Sequence, residues 1–433
     1  MKRNKLLFAF TLLLVAGFFV VSCSSDDNGT GGDGLSSITL KANTESTTIG
    51  ASEQLTFTVT GNDNTNYTSS SIIKVNGTEI IGNTFSFEEA GNYSFVASYD
   101  NLTSNELSFQ VYSEHYTKVS KSKVLRNETV TFNLLEINGD DVTDEATFFV
   151  NGNQIAGNEF SSETAASYEV YANYGDMGQT ETETFEVFIP KRKVSFEDYT
   201  GTWCGWCPRV TTAVQKLKEQ SDDVVIVALH NDAHMPSPQV SQLVSTFNVQ
   251  GYPAARLNRT TSVPSPEDSP NALNFVLNQA GAETNLSIAI DTELNGNDLS
   301  VTARVISEEA LSSDYKVVVY LTQNGLIFPQ ENYYHSNPAS PWYQMGATIN
   351  DFVHDDVMEA SLTNIFGDPI VDTPALEEYT VSFDPINLSA YGASGGGNFF
   401  SPSSFNVAVY IVNQNNVTQN AQHVQAGESV NFE

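Results

Sequence analysis

An internal repeat in the first half of the chain places the strongest constraint on its fold. The segment VNGTEIIGNTF from Val75 aligns without a gap with VNGNQIAGNEF from Val150, an offset of 75 residues. The same offset brings three more residues onto identical ones, namely Tyr93, Ala97 and Tyr99 onto Tyr168, Ala172 and Tyr174. Each copy has short runs of alternating apolar and polar residues, such as LTFTV, separated by Asn-Gly or Gly-Asn turns. This period of two predicts two antiparallel β-sandwiches in tandem.

The two copies resemble immunoglobulin-like modules, and we expect one at residues 36–112 and the other at residues 113–190. Neither copy has the internal cysteine pair of antibody domains, so the likeness is to bacterial surface modules of this shape. Two sandwiches in series favour a stalk that holds the rest of the chain away from a membrane. Adhesion is the alternative interpretation.

The N-terminus has the pattern of a targeting segment. Three basic residues within the first five positions precede the apolar run Leu6 to Val21, which is shorter than the roughly 20 residues of a membrane-spanning helix. The small residue Ser22 then precedes Cys23. This arrangement resembles a bacterial lipoprotein signal, which implies a signal peptide at 1–22, lipid on Cys23 and a flexible tether at 23–35. A secretory signal with a free Cys23 is the alternative.

Charge near the N-terminus and over the whole chain bears on location and partners. The acidic residues just after Cys23 resemble the export signal that sends some Gram-negative lipoproteins to the outer face of the outer membrane. This resemblance implies a lipid-anchored, surface-exposed protein, with the periplasmic face as the alternative. The chain has 19 Lys and Arg against 52 Asp and Glu, a net charge of -33. Such a surface repels phosphate backbones, so we predict no nucleic-acid partner.

From Lys191 the pattern changes to alternating strands and helices. Helices are predicted at 208–220, 237–247 and 270–280, and strands at 194–196, 223–230 and 254–257. This order predicts an α/β domain at 191–282.

After Glu283 the alternation returns to a period of two and predicts a C-terminal antiparallel β-sandwich at 283–433. The fold class is therefore multidomain, α/β plus all-β. A long excursion at 328–379 interrupts the strands, and we interpret it as a loop. Trp342, Tyr343 and the run FVHDDVM at 352–358 indicate that part of this loop packs.

The segment GTWCGWCPRV at 201–210 holds two of the three cysteines. Two cysteines three positions apart, after a strand and opening a helix, suit redox chemistry because the positive helix N-terminus stabilises a thiolate. Cys204 is the candidate nucleophile, and Cys207 is the candidate resolving cysteine. In an envelope compartment, the expected resting state is a Cys204–Cys207 disulfide.

The motif WCGWC after a strand resembles the WCxxC of the thioredoxin superfamily. The segment FNVQGYPAARLNR at 247–259 resembles the second signature of that superfamily, a cis-proline loop that faces the CxxC. The resemblance implies that Cys204 and Cys207 are the redox pair and that Pro253, after a cis bond, docks the substrate. It also places Trp203, Trp206 and Tyr252 on the substrate side.

Thioredoxins also carry a buried acid six residues before the first cysteine, and the resemblance assigns this position to Asp198. Glu197 would take its place if the strand register differed by one, because a slip of one residue swaps faces. Gly205-Trp206 replaces the usual Gly-Pro or Gly-His between the cysteines. Because this dipeptide tunes the reduction potential, the direction of exchange stays open.

The lipoprotein-like N-terminus, the segment VSFEDYTGTWCGWCP and the C-terminal β domain together resemble the outer-membrane-protein-28-related family of envelope proteins. One functional interpretation is thiol–disulfide exchange with extracytoplasmic protein thiols or disulfides, without a cofactor. The alternative is a non-catalytic surface binding or assembly lipoprotein in which the cysteine pair is a permanent disulfide.

Two groups of histidines are weaker candidates for a site. His230 and His234 could complete a zinc site with the cysteines, but 22 residues separate Cys207 from His230, whereas zinc fingers have about 12 to 15. We therefore predict no metal. The sequence His354-Asp355-Asp356 could bind a metal or protonate a substrate, although a charged turn is the favoured interpretation.

Overall fold

The structure is a computed structural model that describes residues 35–391 and 400–433, apart from 52, 88–89, 113–114 and 176–177. The predicted signal peptide, Cys23 and all but the last residue of the predicted tether lie outside the described residues. The chain divides into two compact units, one before His115 and the other from His115 to Glu433. None of the described helices has the length and apolar character that crossing a bilayer requires.

The first unit is a β-sandwich. Its strands are β1 (Ile38–Ala42), β2 (Thr48–Gly50), β3 (Gln54–Gly61), β4 (Ile72–Val75), β5 (Thr78–Glu79), β6 (Thr84–Ser86), β7 (Gly91–Tyr99), β8 (Leu102–Thr103) and β9 (Leu107–Tyr112). One sheet has the order β1-β3-β6 and the other β2-β9-β7-β4-β5, with β8 beside β7. Only β2 and β9 pair in parallel among these described strands. Phe57 and Phe95 meet in the core, with ring centroids 4.6 Å apart.

The second unit begins with a sandwich of the same design. Its strands are β10 (His115–Val119), β11 (Lys123–Leu125), β12 (Val130–Glu136), β13 (Ala146–Val150), β14 (Asn153–Gln154), β15 (Glu159–Phe160), β16 (Ala166–Tyr174) and β17 (Glu183–Phe188). The sheet orders β10-β12-β15 and β11-β17-β16-β13-β14 reproduce those of the first unit, including a parallel β11–β17 pair. Phe132, 75 residues after Phe57, again occupies the core. The two sandwiches predicted from the repeat are confirmed.

The α/β region of the second unit follows. Its elements are β18 (Val194–Thr200), α1 (Pro208–Lys218), β19 (Val224–His230), α2 (Val240–Thr246), β20 (Ala254–Leu257), β21 (Thr261–Ser262) and α3 (Pro270–Leu277). β18 is parallel to β19 and antiparallel to β20. Helices α1 and α3 pack on one face of these strands and α2 on the other. The three predicted helices are confirmed, each two to four residues shorter than predicted.

The rest of the second unit is all β. Its strands are β22 (Leu286–Asn295), β23 (Asp298–Ser307), β24 (Lys316–Gln323), β25 (Leu326–Glu331), β26 (Thr348–His354), β27 (Val357–Ser361), β28 (Asp368–Pro369), β29 (Glu378–Asn387), β30 (Phe405–Val412), β31 (Thr418–Gln425) and β32 (Ser429–Val430). A four-stranded sheet, β29-β23-β22-β32, packs against β24 and β30 and forms a sandwich with them.

This sandwich is not separate from the α/β region, which corrects our prediction of an independent C-terminal domain. One sheet runs in the order β21-β20-β18-β19-β27-β24-β30-β31, with β28 also beside β24. The junction is the parallel pairing of Ala228 in β19 with Val357 in β27. This pairing provides hydrogen-bond partners for backbone N–H and C=O groups of β19 that would be unpaired in an isolated α/β domain. Alternation in the sequence predicts strands but does not identify their partners.

The excursion at 328–379 also differs from the predicted loop. It contains part of β25, all of β26, β27 and β28, and the start of β29. Strands β25 and β26 pair as an antiparallel hairpin. The strands in this segment are short, and 16 residues, 332–347, connect the two strands of the hairpin. The alternation of apolar and polar residues in these strands is therefore too short to predict them from the sequence.

A buried ion pair in the α/β half of the long sheet also contacts the C-terminal half. The Nε atom of Arg259, just after β20, lies 3.2 Å from Oε1 of Glu197 in β18, and both side chains are 0% exposed. Arg259 Nη2 also donates to the hydroxyl of Tyr320 in β24 and to the carbonyl of Ile365, each at 2.9 Å. Glu197 therefore points away from α1 and into the core beneath α2.

We expect Arg259→Met to destabilise the second unit, because it leaves the Glu197 carboxylate buried without a counter-charge. Breaking a buried pair from one side typically costs about 3–5 kcal/mol. All three tryptophans lie in this unit, so tryptophan fluorescence during urea unfolding of the full chain reports its stability.

Arg304→Met is the matched control, because its partners, Asp291 and Glu378, are partly exposed and such pairs contribute about 0–1 kcal/mol each. The double variant Glu197→Gln, Arg259→Met should recover part of the lost stability. Equal losses in the Arg259 and Arg304 variants would contradict the central role of the buried pair.

Candidate functional site

The CxxC segment lies between the end of β18 and the start of α1. Pro208 is the first residue of α1, where its missing N–H leaves no helical hydrogen bond unmade. Cys204 and Cys207 form a disulfide with a Cα–Cα distance of 5.4 Å, which confirms the predicted pairing. Cys204 is 4% exposed and Cys207 is 1% exposed. The sulfurs therefore sit at the helix N-terminus, and almost none of the Cys207 side chain is open to solvent.

The cis-proline loop meets the CxxC segment through aromatic side chains. The Tyr252-Pro253 bond is cis, as predicted. The rings of Trp203 and Tyr252 pack edge to face with centroids 5.4 Å apart. Trp203 also donates from Nε1 to the carbonyl of Asn231 at 2.9 Å, yet its side chain is 52% exposed. The structure thus packs Trp203, next to Cys204, against Tyr252, and Pro253 follows Tyr252 directly in the chain.

A second segment binds the other side of the CxxC loop. This segment, residues 326–354, comprises β25, β26 and their connection, and we call it the clasp hairpin. Four of its groups donate short hydrogen bonds to backbone carbonyls of the CxxC segment: Glu331 N–H to Thr202 at 2.8 Å, and Tyr333 N–H to Gly205, Gln330 Nε2 to Cys204 and Trp342 Nε1 to Pro208, each at 2.9 Å. The hydroxyl of Tyr334 donates a longer one to Trp206 at 3.4 Å. Sequence reasoning missed this role, although Trp342 and Tyr343 had signalled some packing there.

The clasp hairpin also explains the unusual dipeptide between the cysteines. A Cβ atom on Gly205 would lie 2.4 Å from the ring of Tyr333, so a larger residue there would displace this ring. Trp206 packs edge to face against both Tyr333 and Tyr334, with centroids 5.3 Å apart in each case. Trp206 and Tyr333 remain about half exposed. Gly205 and Trp206 therefore match the clasp hairpin in shape, and they leave an aromatic surface beside the disulfide.

Asp198 lies on the α1 side of β18, and Glu197 lies on the opposite side. The Asp198 side chain is buried, and its Oδ1 atom has no hydrogen-bond partner in the described part of the chain. Burial raises the pKa of the Asp198 carboxyl well above its usual range, and the negative charge of Glu267 adds to this effect. Burial therefore favours the protonated, uncharged form of the Asp198 carboxyl group.

A cavity of about 120 Å³ lies between the ends of β18 and β19, helix α1 and the clasp hairpin. We call it the acid cavity. Asp198, Thr211, His230, Gln330 and His354 are among the residues that line it.

Two histidines meet at the acid cavity. The rings of His230 and His354 pack edge to face with centroids 5.2 Å apart, and both side chains are buried. Nδ1 of His230 lies 2.9 Å from Oδ2 of Asp232, which also accepts the N–H of Thr202 at 3.0 Å. His354 is thus not part of a solvated charged turn, which corrects our favoured interpretation. Only Asp355 and Asp356, between β26 and β27, form the turn.

His230 and His234, the other candidate metal ligands, have different surroundings. His234 is exposed and packs beside Phe328, with ring centroids 5.4 Å apart, whereas His230 is bound to Asp232. Across the described ranges, no three His, Cys, Asp or Glu side chains are grouped so as to hold a metal ion.

The comparisons with protein families agree with these features. Residues 176–273 match the family model of thioredoxin, and residues 240–429 match that of the outer membrane protein Omp28. The predicted resemblance to both families is confirmed. The two matches overlap at 240–273, inside the region where one sheet continues from the α/β strands into the C-terminal strands. The Omp28 match also includes the clasp hairpin.

Among curated proteins, none matches this chain. Solved structures similar to it include HBP35 of Porphyromonas gingivalis, at 18% identity over 55% of this chain and 76% of that one, with a TM-score of 0.41. The fibronectin(III)-like modules of Clostridium thermocellum CbhA match at 15% identity over 34% and 93%, with a TM-score of 0.15. The adhesin InvE of Yersinia pseudotuberculosis matches at 11% identity over 37% and 62%, with a TM-score of 0.16. At these TM-scores the likenesses carry no inference about function.

We expect Gly205→Ala to loosen the clasp hairpin, because the new methyl group overlaps the ring of Tyr333. Overpacking of this kind typically costs about 1–3 kcal/mol. Hydrogen exchange of the Tyr333 and Glu331 amides, which bond to the CxxC loop, should accelerate accordingly.

Gly251→Ala is the matched control, because an added Cβ there meets no atom within 4 Å. Adding Tyr333→Ala to Gly205→Ala should restore protection of the Glu331 amide. Unchanged exchange in the Gly205 variant would show that the hairpin does not depend on this contact.

Proposed function

We propose that this chain is a lipid-anchored envelope protein that exchanges thiols and disulfides with extracytoplasmic protein partners through Cys204 and Cys207. The observation that carries the proposal is the disulfide at the start of α1, flanked by the cis-Pro253 loop, with the buried acid Asp198 on the same side of the sheet as α1. The thioredoxin and Omp28 matches support both the chemistry and the compartment.

Exchange at this site proceeds through a mixed disulfide. In the oxidising direction, a partner thiolate attacks Sγ of Cys204, the Cys204–Cys207 bond breaks, and Cys207 leaves as a thiolate that takes up a proton. A second partner thiolate then attacks the partner sulfur of the mixed disulfide and releases Cys204. The partner becomes a disulfide, and the cysteine pair holds its two electrons until a small disulfide oxidises it again.

The membrane face on which the protein lies affects whether it oxidises or reduces its partners. A surface-exposed protein anchored at Cys23 has no evident source of electrons, which favours oxidation of partner dithiols. On the periplasmic face, a reductant could reach the site and reduction would also be open. The exposed rings of Trp203, Trp206 and Tyr333 provide a contact surface for an apolar or aromatic stretch of the partner. The two repeated sandwiches serve as a spacer between anchor and site.

One observation favours a second function, a binding or assembly lipoprotein with a permanent disulfide. Both cysteines are nearly buried, and the clasp hairpin donates four short hydrogen bonds to the backbone of the CxxC segment. A site fixed in this way could serve as a rigid scaffold.

Trapping in cells separates the two functions. We expect Cys207→Ser to accumulate mixed disulfides between Cys204 and partners, because the resolving thiol is lost. These adducts should be absent from the Cys204→Ser, Cys207→Ser double variant, which controls for other thiols. The measurement is non-reducing electrophoresis followed by identification of the partner cysteine.

The reduction potential of the wild-type pair provides an independent check. Exchange requires a potential above about -300 mV, because structural disulfides lie below that value. A lower potential combined with no trapped adduct would falsify exchange and leave the permanent disulfide.

The anchor has its own test. We expect Cys23→Ser to move the protein from the membrane fraction to the soluble fraction, because the lipidated residue is lost. Cys207→Ser is the control and should stay in the membrane fraction. Digestion of intact cells by an added protease then distinguishes surface exposure from the periplasmic face. Retention of Cys23→Ser on the membrane would contradict lipid anchoring.

A further inference from the structure

Asp198 and His354 line the acid cavity, and each carries a polar atom without a hydrogen-bond partner in the described part of the chain. The two atoms are Oδ1 of Asp198 and Nε2 of His354, and both residues are 5% exposed. Buried polar atoms in native proteins are almost always paired, with protein groups, water, an ion or a ligand. Two unpaired atoms on residues that line one cavity therefore indicate that the cavity holds an occupant.

Both unpaired atoms are acceptors once Asp198 is ionised. The backbone of Phe328 is hydrogen-bonded to the ring of His354, and because Nε2 has no partner, Nδ1 is the nitrogen in that bond. Burial, with a contribution from His230, lowers the pKa of His354 to about 3, so at neutral pH its Nε2 carries a lone pair. The oxygens of a carboxylate only accept hydrogen bonds. An occupant that satisfies both atoms must therefore donate at least two hydrogen bonds.

Acidic groups outnumber basic groups around the acid cavity. The titratable side chains that line it or act electrostatically on Asp198 and His354 are Lys218, His230, Asp232, Glu267, Asp355 and Asp356. Lys218 is paired with Asp356 at 2.7 Å, and Asp232 with His230 at 2.9 Å. Within the described ranges, no basic side chain pairs with Asp198. An ionised Asp198 therefore needs a cation from outside the chain, whose net charge of -33 attracts cations.

The cavity fits a polar head with a short apolar chain. Its lining is buried at Asp198 and His354 and exposed at Gln215 and Asp355, so it opens to solvent. The lining also includes apolar side chains, namely Val214, Ile226, Ala228, Phe352 and Val353. The volume of about 120 Å³ equals that of about four water molecules in the liquid. This space suits a single charged head group with a tail of a few carbon atoms.

We propose that the acid cavity binds a primary alkylammonium group, with its head at Asp198 and His354 and its alkyl chain against the apolar lining. An ammonium group has three N–H donors, so it can donate to both unpaired atoms. The group can belong to a free amine or to a lysine side chain of a protein partner. Neither cysteine lines this cavity, and the proposal does not depend on thiol–disulfide exchange.

Binding exchanges one cation for another. Burial raises the pKa of the Asp198 carboxyl well above its usual range, and the charges of Glu267 and Asp356 add to this effect, so the free protein favours the protonated form. When the alkylammonium group enters, Asp198 releases its proton to solvent and its carboxylate pairs with the ammonium. The net charge of the cavity stays the same, and no unpaired charge is buried.

This exchange makes the affinity depend on pH. Because one proton is released, the affinity rises with pH, by up to about tenfold per pH unit while Asp198 is protonated in the free protein. The rise ends where the ligand loses its own proton, since a primary amine titrates near about pH 10.

The test is a titration of the full chain with n-butylammonium, followed by saturation-transfer NMR of the ligand at about pH 6 and about pH 8. We expect a dissociation constant on the order of 1 mM at the higher pH, within the limit for a ligand of about five heavy atoms. It should be larger at the lower pH. The uncharged analogue 1-butanol should bind at least about tenfold more weakly.

A second probe distinguishes the two sources of the group. Nα-acetyl-lysine amide presents the ammonium on a peptide-like lysine. Binding comparable to that of n-butylammonium assigns the site to a lysine of a protein partner, whereas binding of n-butylammonium alone assigns it to a free amine.

Three variants make the result specific. Asp198→Asn keeps the shape of the side chain but removes the carboxylate, so it should weaken n-butylammonium binding at least about tenfold at the higher pH and abolish the pH dependence. Ala228→Val narrows the cavity without changing a charge, and it should also weaken binding. Asp222→Asn is the matched control, because it removes an exposed carboxylate that does not line the cavity, and it should bind as the wild type does.

The proposal is overturned if n-butylammonium does not bind, because the cavity then holds water alone. It is also overturned if Asp198→Asn and Ala228→Val bind as the wild type does, which would place the ligand elsewhere. Equal affinity for 1-butanol would show selection of an apolar chain and not of a charge. The unfolding midpoint of each variant shows whether it is folded. If Asp198→Asn is not folded, Ala228→Val and the pH dependence of the wild type decide.

Discussion

The buried pair of Glu197 and Arg259 holds together the sheet on which the site depends. Two charges in an apolar core require mutual compensation and full hydrogen bonding. Part of the second requirement is met from β24, where the hydroxyl of Tyr320 accepts from Nη2 of Arg259, whereas Nε and Nη1 of Arg259 have no hydrogen-bond partner among the described residues. Without the C-terminal strands, the guanidinium group would lose this partner and part of its cover. The α/β strands and the C-terminal strands therefore form one folding unit, although their sequence patterns look like those of two domains.

This continuous sheet also determines where the clasp hairpin lies. β27 continues the sheet beside β19, and the N–H of Ala228 donates to the carbonyl of Asp356 at 2.8 Å. The chain enters β27 directly from the hairpin, so the hairpin must end close to the carboxyl ends of β18 and β19. The CxxC loop starts at that edge. His354, three residues before Val357, consequently reaches the acid cavity beside His230.

The sequence predicted those features that are local. The repeat predicts the two sandwiches, and the alternation of strand and helix patterns predicts the three helices. The WCxxC and Tyr-Pro motifs predict the positions of the disulfide and the cis bond. Pairing between distant strands has no local signature, so the shared sheet and the clasp hairpin escaped prediction. The same reason explains His354. A histidine beside two aspartates predicts a charged turn, and only the pairing of β26 with β25 shows that His354 is buried. Register was the remaining ambiguity, and the structure places Asp198, not Glu197, on the side of α1.

The hairpin constrains how any partner can reach Cys204. The four short hydrogen bonds from the hairpin to the CxxC segment, at a net contribution of about 0.5–1.5 kcal/mol each, stabilise the closed hairpin by roughly 2–6 kcal/mol. A reaction that first required its release would be slowed by at least about thirtyfold, because each 1.4 kcal/mol is a factor of ten. Exchange is therefore fastest when the hairpin stays closed and the partner approaches from the side of Trp203 and Tyr252. The hairpin then acts as a fixed wall of the site and does not need to open as a lid.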